Sequence, residues 1–195
     1  VKKALIGSGG FAREIKQHMN CDLTFFVDDE YWKEGDSNIL PLSKFNPTEY
    51  ELLVAIGNPL DRYNVINRLP KETKYFSFIH PSAIILDDNI KIGEGSVICA
   101  GSILTTNIKI GKHAHLNLQT TIGHDSIIGD FFTTAPGAKI SGNCKIGERV
   151  YIGTNASIRE KIEICDDVTI GLGSGVVKNI TESGTYVGCP VKKLK

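Results

Sequence analysis

From residue 86 onward an aliphatic side chain returns at every sixth position. Residues 86, 92, 98, 104, 110, 116, 122, 128, 134, 140, 146, 152, 158, 164, 170 and 176 are Leu, Ile or Val, with Thr134 the one exception. Four residues after them stand mainly small or β-branched side chains, among them Ser96, Ser102, Ala114, Thr120, Ser126, Ala138, Ala156, Val168 and Ser174. A period of six matches neither a helix nor an ordinary hairpin sheet. It predicts a β-solenoid in which three hexads close one triangular coil, with the aliphatic and the small residue both turned into the prism. The fifteen intervals, taken three at a time, give five coils, stacked about 4.8 Å apart as neighbouring strands are. Residues 18 apart then lie directly above one another.

Residues 1–79 follow another pattern. Lys3 to Ile6 reads as a short strand, Gly7, Gly9 and Gly10 turn the chain, and Phe11 to Met19 has helical composition. Leu23 to Val27 predicts a second strand, ending at Asp28 and Asp29, and Leu52 to Ile56 a third. Asn58 ahead of Pro59 is an N-cap followed by a first helical residue, opening a helix through Leu69. Tyr75 to Phe78 predicts a fourth strand. Alternating strands and helices make a small α/β domain on a parallel sheet. The expected organisation is a Rossmann-like domain over 1–79 and a solenoid over 80–195.

Charge excludes several functions. The 22 Lys and Arg are matched by 22 Asp and Glu, and both halves are balanced, which argues against a nucleic-acid partner or an anionic membrane surface. No apolar run approaches the roughly 18 residues of a membrane helix, and Ala4 to Ile6 behind Lys2 and Lys3 is too short for a secretory segment. Cys21, Cys99, Cys144, Cys165 and Cys189 are odd in number, scattered and without metal-ligand spacing. Reduced thiols in a cytoplasmic protein are the expectation.

Two places carry chemistry. Gly7-Ser8-Gly9-Gly10-Phe11-Ala12 has the form GxGxxA between a strand and a helix, where backbone N–H groups and the helix dipole can cradle a diphosphate. A tight turn without a ligand explains the glycines equally well. Asp28, about 20 residues further at the end of the next strand, is placed to accept from ribose hydroxyls and favours a nucleotide. With about 80 residues and four strands, this part is too small for a complete dinucleotide-binding sheet. His124 is the second place. It occupies the third position of the hexad beginning at Ile122, which points out of the prism, so it is a solvated surface histidine or a general base. Counting 18 residues on reaches Gly142, whose bare backbone N–H beside the imidazole suits a developing oxyanion, although a coil corner can also need glycine.

The glycine turn, the hexad array, Ile122-Gly123-His124-Asp125 and the ending Gly188-Cys189-Pro190-Val191-Lys192 together resemble the bacterial PglD/NeuD-type sugar acetyltransferases over the whole chain. The resemblance implies a left-handed β-helix, a homotrimer and acetyl-CoA bound between subunits, with no metal. It implies N-acetylation of a UDP-linked amino sugar, a 4-amino-6-deoxyhexose, for surface glycan or glycoprotein synthesis. His124 would be the base, Asp125 the carboxylate that orients it, Gly142 the contact to the acetyl group, and Asn117 a guide for the sugar amine. Gly9, Gly10, Asp28, Asp29, Gly57 and Asn58 would surround the sugar nucleotide. Arg62 is a plausible neighbour, equally explained by a solvated helix face. Gly153, Thr154, Leu172 and Gly173 would meet the coenzyme, as would Lys192 or Lys193 its phosphates. Phe11 and Thr133 depart from the family, where relatives carry histidine.

Competing readings are O-acetylation of a sialic-acid-like sugar and a non-catalytic solenoid that binds a nucleotide sugar. Hexapeptide solenoids also serve as zinc carbonic anhydrases, but His113 and His115 occupy different hexad places from His124 and offer no third ligand. Leu118 and Phe131 are expected to be exposed on the coil faces and available to a trimer.

Overall fold

The computed structural model describes residues 1–19, 22–35 and 37–194 and divides into two compact units, Val1–Ser77 and Phe78–Lys195. Cys21 lies outside the described residues; Cys99, Cys144, Cys165 and Cys189 are not joined in disulfides.

The first unit comprises β1 (Lys2–Ile6), α1 (Gly10–Met19), β2 (Thr24–Val27), β3 (Ile39–Pro41), β4 (Tyr50–Val54), α2 (Pro59–Arg68) and β5 (Lys74–Tyr75). The strands stand in the order β3-β2-β1-β4-β5 and every neighbouring pair is parallel. Parallel strands covered on both faces are apolar in succession. Ala4, Leu5 and Ile6 accordingly lie beside Leu52, Leu53 and Val54, all buried. Phe26 fills the space above them edge-on to Phe45 and Tyr50, at 5.5 and 5.2 Å between ring centres. The sheet has five strands rather than four. The extra one is β3, a three-residue edge strand whose Pro41 is tolerated there because an edge leaves one side of the ladder unpaired. Tyr75 and Phe78 do not share a strand: Lys74–Tyr75 closes this sheet and Phe78–Ile79 opens the solenoid.

In the second unit, two-residue strands alternate with turns and stack into three flat faces. The first face runs from Phe78–Ile79 to Val168–Ile170 and on to Gly184–Val187, the second from Ile84–Ile85 to Gly175–Val176, and the third from Lys91–Ile92 to Glu163–Ile164. Five coils are complete and a sixth is partial. The stack is the solenoid expected from the hexad spacing, and it is the left-handed β-helix that the family resemblance implies. The column from Ile98 to Val176 points inward and is buried throughout, as are the small residues from Ser96 to Ser174. Each aliphatic contributes roughly 1.5–3 kcal/mol on burial. Thr134 is buried too, and its hydroxyl is used: it accepts from the Asn117 N–H at 3.0 Å and lies 2.7 Å from the Thr120 hydroxyl.

The six-residue spacing does not extend to Leu86. That side chain is 67% exposed, and Ile85 takes its place opposite Leu104, 19 residues away. The step from Ile85 to Ile92 is therefore seven rather than six, and the extra residue lies in the Leu86–Ile90 bend. At the corners, one residue in six adopts the left-handed backbone, from Asn107 through Asp125 to Asp167. Asn and Asp enter that region most readily among residues with a Cβ.

Candidate active site

In the first unit, β1 leads to β2 and β3 on one side, and β4 and β5 lie on the other. The order reverses between β1 and β4, and ligands of open α/β sheets bind beyond the carboxyl ends of the strands at such a point. The glycine turn follows β1 there, and Gly57 and Asn58 follow β4. Gly7 meets the backbone demand, with φ +100° and Ala55 O only 3.2 Å from where a Cβ would be. Gly9 and Gly57 border open space instead, and Gly10 begins α1. Arg13 of α1 donates to Ser8 O at 3.0 Å. A cleft beside this turn also includes Lys16, Gln17 and Asn38. Arg13 and Lys16 lie three residues apart and share a helix face, a signal that marks them as candidate phosphate neighbours beyond the residues singled out from sequence.

Asn58 caps α2, its Oδ1 accepting from the N–H groups of Leu60 and Asp61 at 2.9 and 3.2 Å. Arg62 is not on a solvated helix face. It is fully buried and donates to the carbonyls of Ile56 and Gly57, tying the β4–α2 turn to the helix. Burial pushes its pKa down. The buried face of α2 is Pro59, Arg62 and Val65, a spacing of three that was visible in the sequence.

Asp28 and Asp29 lie after β2 in a cleft shared with Glu30, Leu42, Ser43 and Arg68. Arg68 at the end of α2 reaches both oxygens of Asp28, at 2.9 and 3.1 Å. Asp29 accepts from the Ser43 N–H at 3.0 Å, and hydrogen bonding to Ser43 holds its carboxyl below the usual range. Arg68 and Ser43 were not foreseen, because both pairings join distant parts of the chain.

On the solenoid, His124 and Asp125 form the corner between the second and third faces. Asp125 has φ +60°, and its Oδ2 lies 2.7 Å from His124 Nδ1. An ionised carboxylate only accepts, so Nδ1 carries the proton and Nε2 holds the free lone pair. Asp125 is held ionised: hydrogen bonds from Asn107 first and His124 second keep its carboxyl below the usual range. The ring lies against Gly142 one coil on, where a Cβ would come within 2.7 Å of Nε2. Asn143 N–H donates to His124 O at 2.7 Å, which pins the two turns together. Among the described residues, no acceptor meets the Gly142 N–H. This corner therefore offers a base with a fixed tautomer, packed on the buried backbone of Gly142.

Asn117, Gly153, Thr154, Leu172 and Gly173 stand at a different corner, between the first and second faces. Asn117 Oδ1 accepts from the Leu118 N–H at 2.7 Å. Gly153 needs its missing side chain, since a Cβ would lie 2.6 Å from Leu172 N. The N–H of Gly173 donates to Thr154 O at 2.8 Å, while the Leu172 side chain is 82% exposed. Within one chain these residues and His124 occupy opposite edges of the second face. Near the end of the chain, Lys193 pairs with Glu182 at 3.1 Å and Lys192 is exposed.

Thr133 is buried on the first face, and Phe11 is half-buried on α1. Phe131 is also buried rather than exposed, stacked on His113 at 5.3 Å, and Leu118 is half-buried. His115 is buried on the first face, away from the His124 corner. Among the described residues no group of three His, Cys, Asp or Glu side chains is placed to hold a metal, and no helix is long and apolar enough to cross a membrane.

Residues 2–69 match the PglD N-terminal domain, and residues 119–160 match the six repeats of the bacterial transferase hexapeptide. A GDP-perosamine N-acetyltransferase of Escherichia coli O157:H7 is 31% identical over 173 residues, covering 81% of this chain and 78% of the relative. The acetyltransferase domain of PglB from Neisseria gonorrhoeae FA1090, in complex with acetyl coenzyme A, superposes with a TM-score of 0.87 at 29% identity, over 99% of this chain and 98% of that one. WeeI from Acinetobacter baumannii AYE superposes with a TM-score of 0.88 at 30% identity, over 99% of both chains. Two units of matching fold in the same order, and a relative aligned over most of both, lead to one conclusion: the chain belongs to the PglD-type sugar acetyltransferases.

Proposed function

We propose that the protein transfers the acetyl group of acetyl-CoA to the amine of a nucleotide-linked 4-amino-6-deoxyhexose, for surface glycan or glycoprotein synthesis. The observation that carries this reading is the His124 imidazole, held by Asp125 and seated on Gly142. The sugar amine attacks the thioester carbon, and Nε2 of His124 takes the proton that the nitrogen must lose. Negative charge gathering on the carbonyl oxygen is met by the Gly142 N–H. The carbon–sulfur bond then breaks, the thiolate takes up the proton, and N-acetyl sugar and free coenzyme leave. Asp125 supports the imidazolium formed in between.

The nucleotide sits at the carboxyl ends of β1, β2 and β4. Its diphosphate is cradled by Gly9 and Gly10 with Arg13 and Lys16 nearby, and Asp28 and Asp29 take ribose or base, with Arg68 paired to Asp28 in the same cleft. UDP is the carrier that the family resemblance implies. GDP is the second reading, because the relative that matches over most of its length acts on GDP-perosamine. The homotrimer that the family resemblance implies is supported by the two corners: Asn117, Gly153, Thr154, Leu172 and Gly173 stand at the far edge of the face from His124 of their own chain, where they would serve that of a neighbour.

The test is a panel of UDP- and GDP-linked amino sugars, with sialic acids as controls, incubated with acetyl-CoA while free thiol is followed. Turnover with a 4-amino-6-deoxyhexose on one carrier supports the reading. Turnover confined to hydroxyl acceptors, or none with any acceptor, overturns it.

A further inference from the structure

Asp125 is an exposed aspartate on a turn, and within its own hexad the His124 ring meets just one oxygen of its carboxylate. The coil beneath supplies the constraint. Asn107, 18 residues earlier and also in the left-handed backbone at φ +51°, donates from Nδ2 to Asp125 Oδ1 at 2.7 Å. The amide must present its nitrogen there, because an ionised carboxylate has no hydrogen to give. One oxygen of Asp125 is thus taken by Asn107 and the other by His124 at 2.7 Å.

Asn107 is held in turn. Asp87 Oδ2 accepts the backbone N–H of Asn107 at 2.9 Å and the hydroxyl of Thr106 at 2.6 Å, while its Oδ1 accepts from Asn89 N–H and Nδ2 at 2.9 and 3.0 Å. Asp87 lies in the bend where the hexad spacing lengthens to seven. That bend lets a carboxylate rise beside the next corner.

We propose that Asn107 is a positioning residue for acetyl transfer, acting through Asp125 on His124, with Asp87 fixing Asn107 from below. The inference rests on the reading of His124 as the base. The Asn107 side chain bonds to Asp125 rather than to the imidazole, so its effect on the base passes through the Asp125 carboxylate.

A double-mutant cycle tests this. Asn107→Gly suits the left-handed backbone and keeps the N–H that Asp87 accepts, removing only the side chain. In the full chain, with its best amino-sugar acceptor and acetyl-CoA, it is expected to lower kcat about tenfold and leave both KM values within about twofold. Asp125→Gly, equally suited to its backbone, is expected to cost about ten- to a hundredfold. Adding Asn107→Gly to Asp125→Gly should change kcat by less than about twofold, since the residue it acts through is gone. A tenfold loss in both backgrounds, or an Asn107→Gly variant with wild-type kcat, overturns the proposal. His124→Ala run alongside separates the two readings: activity surviving in that variant removes the base itself, whereas its loss together with an inert Asn107→Gly removes only the role of Asn107.

Discussion

The imidazole of His124 rests on the α-carbon of Gly142 in the next coil, leaving no room for a side chain: a Cβ at 142 would lie 2.7 to 2.9 Å from three ring atoms. Gly142 is not in the left-handed region, so the demand for glycine there is one of space. Gly142→Ala is expected to push the ring outward, which is possible because the His124 side chain is 56% exposed. The fold should lose no more than about 1–3 kcal/mol, as small overpacking does, while kcat falls at least about tenfold through displacement of base from amide donor. Equal loss in melting temperature and activity, with no kinetic defect in the remaining folded protein, would count against the arrangement.

Removing the base itself should be more severe. His124→Ala is expected to lower kcat roughly 10²- to 10⁴-fold and to leave melting and assembly intact, because the ring lies outside the prism. Affinities for both substrates should change little, as the proton transfer belongs to the transition state. Asp125→Asn should cost less, since an amide can still hold the ring but cannot offset its charge. Steady-state kinetics with each substrate varied would decide, and near wild-type turnover from His124→Ala would refute the assignment.

The repeat was legible because each hexad declares its own geometry: an aliphatic at one place and a small residue four on define an inward face wherever the chain lies. The slip at the first coil was not, because Ile84, Ile85 and Leu86 are three aliphatics in a row and any of them satisfies the pattern. The 18-residue rule that leads from His124 forward to Gly142 leads back from Asp125 to Asn107 just as directly, so that neighbour was within reach of the sequence. Arg62 carried a readable sign in its spacing from Pro59 and Val65, although a charge on a short helix suggests solvent first. The Arg68–Asp28 pair was beyond reach, because 40 residues separate partners that only the packing of α2 against the sheet brings together.

That pair leads to a prediction for the first unit. Asp28→Ala should raise KM for the nucleotide sugar and leave KM for acetyl-CoA nearly unchanged. Arg68→Ala frees the Asp28 carboxylate from a pair that is half exposed, and such pairs contribute about 0–1 kcal/mol to stability. Its effect should therefore appear in nucleotide affinity rather than in melting. Titration calorimetry with UDP, GDP and NAD would measure this; a preference for NAD, or equal weakening toward both substrates, would remove the sugar-nucleotide assignment.

Asp87 gives a prediction in pH. The Thr106 hydroxyl first, then the N–H groups of Asn89 and Asn107, hold its carboxyl well below the usual carboxylate range. A group whose pKa is depressed on folding stabilises the fold fully above its unfolded pKa, about 4. That contribution is lost as pH falls from there toward the folded value. Asp87→Ala should thus melt lower than wild type at about pH 7, and the gap should narrow at about pH 2.5. Melting curves at both acidities would test it, an unchanged gap meaning that the carboxylate charge has no part in holding the corner.

The final prediction concerns how one site is completed. His124 stands at one corner of the prism, and Leu172, with its side chain 82% exposed, stands at another. If each site takes its base from one copy and its coenzyme seat from a neighbour, two inactive variants should rescue one another. His124→Ala removes the base but leaves a sound coenzyme corner. Leu172→Glu leaves the base and sets a negative charge where an anionic coenzyme must lie; because the side chain is exposed, folding should be unaffected. After the two are mixed in equal amounts and allowed to exchange subunits, half of the interfaces carry a good base and half of those a good coenzyme corner. Activity should then recover to about a quarter of wild type, as closed cyclic assembly with interfacial sites requires. A mixture no more active than its two components, in an assembly that sedimentation shows to have exchanged, would mean that each chain carries its site alone.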